Sequence, residues 1–355
     1  MIKKIVTLIL CLILMSSFIS CAKLSDNTND NGKDIIEEEK TMEEQGYTSL
    51  FLDKYFMNGF RISSNIDGAV QPYLDTPIKL IDNNENPSWT FAQWGSKYNI
   101  LDYYQKAVIN GGSGLKYISE GKNFESEYLP AKIFSFDTVN GSVYMELNAE
   151  TEYETPRIIN QSWPHTLVEQ SFYDESLLNL SKCSSVRMKM NFNISKFEDK
   201  MNGLANSNLH AGQFVWYVTL QNRNNESADF GKYIWFGLCL WDNRYENIEK
   251  PLFAAEDGGK EANTGAFIYS PESNLYYNGN KMPSALTDVN VDFDIMNIAK
   301  TAYNLAIERG YLGTTTFEDL YIGSMNFGFE VPGTYNVAST INNFNIFYKK
   351  ADMVL

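Results

Sequence analysis

Gly212–Asn222 reads GQFVWYVTLQN. A period of two puts Phe214, Trp216, Val218 and Leu220 on one side of a strand and Gln213, Tyr217, Thr219 and Gln221 on the other. The first set is a core face. The second is unusual for a solvated strand, which would more often carry Lys, Glu, Ser and Thr. Glutamine and tyrosine hydrogen-bond in both directions and also present flat or long apolar parts. With Arg223 just beyond, this side suits a sugar, which needs amides and guanidinium for its hydroxyls and aromatic faces for its C–H surfaces. A plain polar surface strand is the alternative reading.

The next run, GKYIWFGLCLWDNRYE, is apolar on both faces for most of its length and so reads as a central strand. Ile234, Phe236, Leu238 and Leu240 share the core parity, while Tyr233, Trp235 and Trp241 share the other. Set beside the Gln/Arg row, Trp235 and Trp241 would complete a binding platform with Gln213, Gln221 and Arg223.

From Tyr47 to Leu355 the texture is uniform. Short aromatic and β-branched runs (SVYMELNA, SSVRMKMNFNI, GAFIYS, LYIGSMNFGFEV, INNFNIFYK) alternate with Asn-, Gly-, Asp- and Ser-rich breaks. There is no βαβ rhythm, repeat or seam, so one domain over 47–355 is expected, an all-β antiparallel sandwich. One helix interrupts it near 290–309, where Ile295, Ile298, Ala299, Ala302, Leu305 and Ala306 recur at helical spacing. Thr287 or Asp288 is available as its cap and Gly310 as its stop. It is expected to cover one edge or end of the sandwich. Trp89 and Trp94, in NPSWTFAQWGSKYNI, read as core plugs.

The amino terminus has a different character. Lys3 and Lys4 precede an apolar run, Ile5 to Leu14, too short to span a membrane comfortably, and small serines lead to Cys21. FISC (Phe18 to Cys21) resembles a bacterial lipoprotein cleavage box, with Phe18 where Leu is usual. That resemblance implies a signal peptide over 1–20, lipidation of Cys21, and attachment to a bacterial membrane facing the periplasm or the cell surface; two or three acyl chains anchor stably where one does not. Residues 21–46, rich in Asn, Asp and Glu, bury too little to offset their ordering entropy and read as a tether.

The 355-residue chain has a formal charge of −15, and loss of residues 1–20 leaves 27 basic against 44 acidic residues, or −17. A field of that sign argues against a nucleic-acid partner. With two histidines and no CxxC, a structural metal site is not expected, nor is a cofactor. Calcium stays open in the Asp- and Asn-rich loops, although no loop has the EF-hand pattern. Whether Cys183 and Cys239 pair, and in what oligomeric state the protein works, are left open.

Two segments carry candidate chemistry. In SVYMELNAETE, Val143, Met145 and Leu147 share one parity, and Glu146, Glu150, Glu152 and Glu154 share the other. This row resembles the alternating carboxylates of jelly-roll β-glucanases, which implies Glu150 as nucleophile and Glu154 as acid/base. Glu152 stands where that family prefers Asp, and retaining chemistry needs carboxyls about 5–5.5 Å apart. Farther on, SWPHTLVEQSF puts His165, Leu167 and Glu169 on one face of a strand, and His210 opens the strand quoted first.

The arrangement also resembles alginate-type polysaccharide lyases. In those jelly rolls, basic or amide groups neutralise a uronate while His or Tyr moves the proton. The resemblance implies Arg157, His165 or His210, Gln213 and Tyr217 in such roles, without the family's R-x-E-x-R, Q-I-H or late Tyr–Lys–Gly–Tyr runs. Glu330, sharing parity with Asn326 and Gly328 before the Pro332–Gly333 turn, is a further candidate. The reading is thus a lipid-anchored, concanavalin-like jelly roll that binds a polysaccharide. A polysaccharide lyase or retaining glycoside hydrolase is one alternative, and a structural or adhesive surface lipoprotein is another.

Overall fold

The computed structural model describes residues 41–66, 73–74, 76–173, 177–255 and 265–352. The leader, Cys21 and residues 21–40 of the expected tether lie outside the described residues. Strands are numbered along the chain. The first sheet runs, in spatial order, β15 (Asp288–Asp294), β10 (Cys183–Asp199), β17 (Tyr335–Lys350), β7 (Ser142–Asn148), β6 (Tyr128–Asp137), β5 (Gly114–Lys122) and β4 (Tyr104–Ile109), with β1 (Thr48–Ser49) also on β17. The second runs β13 (Leu252–Ala255), β14 (Phe267–Ser270), β12 (Tyr233–Asp242), β11 (Gln213–Asn222), β16 (Leu320–Glu330), β8 (His165–Ser171), β3 (Trp89–Ala92) and β2 (Phe60–Ile62), with β9 (Leu178–Asn179) on β16. All pairings are antiparallel except β12 with β14 and β2 with β3. The architecture is the expected all-β sandwich with one helix among the described residues.

The sheets meet through the apolar parities that alternation requires. Phe214, Trp216, Val218 and Leu220 of β11 are fully buried, as are Ile234, Phe236, Leu238 and Leu240 of β12. Across the interface Phe192 stacks on Phe214 at 5.2 Å, Phe91 meets Phe134 at 4.2 Å, and Phe327 meets Phe344 at 4.7 Å. Trp89 is a core plug as expected, with its indole N–H donating to the Asp53 carbonyl at 2.9 Å. Burying an aromatic side chain of this kind contributes a few kcal/mol.

Two details differ from the sequence reading. The helix, α1 (Met296–Glu308), starts later than expected, because DVNVDFD alternates with period two and pairs with β10 as an edge strand. Its buried side is Met296, Ala299, Ala302 and Ala306, and Gly310 ends it at φ 82°. Residues 41–46, read as tether, form a turn in which Met42 is buried. Cys183 and Cys239 are both buried and unpaired, and burial pushes the Cys183 thiol up to about 11.

One charged group points inward. Lys132 shares the parity of Phe134 and Phe136 and is fully buried. Its ammonium pairs with Glu152 at 3.3 Å and also donates to Ser96 Oγ and the Tyr98 carbonyl. Burial lowers the lysine pKa, and Glu152 opposes that shift. Such a pair is expensive to break and cheap to replace whole. Lys132→Met alone is expected to cost about 3–5 kcal/mol in urea unfolding, and Lys132→Met with Glu152→Gln to recover most of that loss.

Candidate functional site

The outward side of the second sheet collects the polar parity of six strands. Arg61 of β2 pairs with Thr90 of β3, Thr90 with Glu169 of β8, Glu169 with Asn326 of β16, Asn326 with Tyr217 of β11, and Tyr217 with Gly237 of β12. One row of side chains therefore crosses the sheet at right angles to the strands. Neighbouring strands lie about 4.8 Å apart, so the side chains from Arg61 to Tyr217 span roughly 19 Å. A parallel row joins Ser171, Ser324 and Thr219 to Trp235, with the Thr219 and Ser324 hydroxyls 3.0 Å apart. On the other side, His165 pairs with Glu330, Glu330 with Gln213, and Gln213 with Asp242.

Aromatic rings stand at one end of these rows. Trp235 meets Tyr217 edge-on at 6.2 Å and Tyr233 at 5.5 Å, and the Tyr217 hydroxyl lies 3.3 Å from Ser270 Oγ. The Tyr217 ring lies flat over Gly237, where a Cβ would come within 2.1 Å of it. At the far end the Arg61 guanidinium sits 4.8 Å from the Tyr73 ring, and its Nε is buried with no hydrogen-bond partner.

Glu169 is the titratable centre of the face. Burial pushes its carboxyl up to about 8 against a hydrogen bond from Asn326, so it holds a proton at neutral pH. Burial, and next the Glu330 charge, raises the Tyr217 phenol. Tyr73 is raised by burial and by Glu169, with Arg61 opposing. The sequence had placed Glu169 and Asn326 on the right parities without giving them a role. It gave no notice of Arg61, Tyr73 or Thr90, which join the face only through sheet pairing.

The residues singled out from sequence are divided among several places. Gln213, Tyr217, Trp235, Glu330 and His165 do share this face. Gln213 donates to Asp242 at 2.9 Å, and His165 Nδ1 lies 3.1 Å from the Trp94 carbonyl with its ring between Trp94 and Trp163. Gln221 and Arg223 lie at its rim, but their polar groups are engaged: the Gln221 amide donates to the Gly231 carbonyl and accepts from Arg223.

Trp241 is a correction. A bulge in β12 shifts the pairing from Phe214–Trp241 to Val215–Cys239, which turns Trp241 inward against Phe197 of the first sheet. Arg157 and His210 are also elsewhere. Arg157 is buried, donating to the Gln161 carbonyl at 2.7 and 3.1 Å and more weakly to those of Leu209 and Pro332. His210, equally buried, accepts from the Asn206 N–H at 3.0 Å, and burial lowers its pKa. They clamp a loop junction and do not join Tyr217, so the lyase constellation is not assembled.

The row of alternating acids also fails to form. β7 ends at Asn148, Ala149–Thr151 is a 3-10 turn, and Glu154 is exposed beyond it. Glu150 is buried against Asn336 at 2.6 Å and Lys200 at 3.4 Å, on the first sheet's side of the molecule. Among the described residues no group of three or more His, Cys, Asp or Glu is placed to hold a metal.

No family model matches the chain, and no curated protein matches it. Solved structures do resemble it. An endoglucanase from Rhodothermus marinus is 11% identical, with 70% of this chain and 97% of that one covered at a TM-score of 0.35. A family 12 xyloglucanase from Bacillus licheniformis is 12% identical, with 69% and 97% covered at 0.38. A family 11 xylanase from Neocallimastix patriciarum is 7% identical, with 69% and 95% covered at 0.35. At such identities and scores the likeness is one of general two-sheet architecture and says nothing about what this chain acts on.

The face has a pH signature. Glu169 has a folded-state pKa of about 8 against 4.5 for the free group, so the native state binds its proton where the unfolded chain has lost it. Stability should therefore fall as pH rises from about 4.5 to about 8 and level off above that. Glu169→Gln is expected to remove this slope and to raise stability at pH 8, as read by urea unfolding across the range.

Proposed function

We propose that the outward face of the second sheet captures a polysaccharide chain laid across the strands, and that the acylated Cys21 holds the protein on a bacterial membrane. The observation that carries the reading is the in-register row from Arg61 to Tyr217, bounded at one end by the Trp235 and Tyr233 rings. Hydroxyl, carboxamide, carboxyl and phenol groups along it offer alternating donors and acceptors, while the rings offer apolar faces to pyranose C–H groups. The row follows the length that a linear glycan presents.

A second reading, hydrolysis on the same face, is favoured by one observation: burial pushes the Glu169 carboxyl up to about 8, and Glu330 lies on the adjacent strand. A neutral carboxyl is a proton donor for a leaving oxygen, and a second carboxylate can activate water. Glu330 is four residues along β16 from the partner of Glu169, about 13 Å in strand rise. That offset exceeds both the 5–5.5 Å retaining spacing and the roughly 6.5–9.5 Å inverting one, so the two side chains would have to lean toward each other across the strand for a water to bridge them.

The test is titration of the purified protein with cellohexaose, xylohexaose and xyloglucan, alongside reducing-sugar release. Binding is expected for at least one glycan, with Trp235→Ala weakening it about tenfold or more, since an aromatic platform contributes on the order of 1–2 kcal/mol. Failure of these and of a broader glycan panel to bind would remove the capture reading. Sugar release that disappears in both Glu169→Gln and Glu330→Gln while binding persists would establish hydrolysis, and its absence in the parent protein would leave capture alone.

A further inference from the structure

The first sheet carries a second polar feature on its own outward side. β17 pairs with β7 only as far as Ile341–Val143 and meets β1 again at Phe347–Ser49, so no strand flanks Asn342 to Asn345 on that side among the described residues. On its other side the ladder with β10 jumps from Lys189–Asn345 to Asn191–Asn342, and Asn343 takes a left-handed φ of 47°. The interruption leaves a hollow of about 540 Å³. Its polar lining is Asn140, Asn191, Asp288, Asn290, Asn342 and Asn343. Asn290, Asn191 and Asn342 stand side by side in one cross-strand row, and Asn140 comes from the turn between β6 and β7.

We propose that this notch is a second binding site, separate from the face of the second sheet, for a neutral saccharide. Carboxamides each present a two-proton donor and an acceptor about the width of a vicinal diol apart, and five of them converge here beside a single carboxylate, that of Asp288. An anion would find no lysine or arginine in the lining. A hard cation, which needs six to eight oxygen ligands, would find one carboxylate, that of Asp288, already accepting from Asn193 at 2.9 Å. No aromatic ring projects from the polar row, so the site suits weak holding of a chain. The inference rests on the chemistry of this lining and not on the reading of the opposite sheet.

The test is binding of fluorescent cellohexaose and xylohexaose to the full chain, measured in a Trp235→Ala/Tyr217→Ala background that strips the rings from the other face. Binding that survives these changes and falls about tenfold or more in Asn191→Ala/Asn290→Ala/Asn342→Ala is expected, the loss equivalent to about 1.4 kcal/mol. Asn191 and Asn290 are exposed, so the variant should keep the parent melting temperature; if it does not, Asn191→Ala alone is measured for the same direction of change. Residual binding unaffected by the asparagine changes, no residual binding at all, or a site filled by calcium chloride in place of either hexaose would overturn the proposal.

Discussion

β16 is hydrogen-bonded on both sides along most of its length, to β11 through Phe214–Phe329 and Trp216–Phe327 and to β8 through Val168–Phe327. Those apolar pairs leave no freedom of register, because a slip of one residue would send Phe327 and Phe329 into water and Asn326 into the core. The same pairing decides what stands on the outward side. Glu169, Asn326 and Tyr217 are neighbours because Val168, Phe327 and Trp216 are neighbours one residue away. The candidate face is thus set by the core beneath it, and its polar groups need no contacts of their own to be aligned.

Alignment also governs the electrostatics. Glu169 sits in the middle of a sheet, walled by neighbouring side chains, and burial outweighs its hydrogen bond from Asn326. Lys132 shows a different outcome of the same burial: it is enclosed, but Glu152, Ser96 and Tyr98 are gathered around it. Among the described residues nothing of opposite charge offsets the burial of Glu169, whereas Glu152 opposes the burial of Lys132.

Local alternation made much of this legible from the chain. The two faces of β11 and the core parity of β12 follow from period two alone, as does the sharing of a face by His165, Leu167 and Glu169. What could not be read is where alternation is interrupted. A single extra residue in β12 turns Trp241 to the inside, and a 3-10 turn after Asn148 ends the acid row before Glu150. The edge strand β15 runs straight into α1, so a helical pattern from Ile295 onward was extended backward across DVNVDFD. Nor does the chain state which strands are neighbours. Arg61 and Glu169 are more than a hundred positions apart, and only the β2–β3–β8 pairing brings them into one row.

The attachment of β1 has a mechanical side. Chain preceding the domain enters it through Met42, which is buried, and then through a ladder of only two pairs, Thr48–Tyr348 and Ser49–Phe347. Behind that ladder Leu50 and Phe51 are sunk in the core, with Phe51 edge-on to Trp89 at 5.1 Å. A pull on the amino-terminal side would peel the short ladder first and then stop at a hydrophobic pin, leaving β17 seated on β10 and β7. The two ladder pairs are therefore crossed before the hydrophobic pin at Leu50 and Phe51 takes the strain.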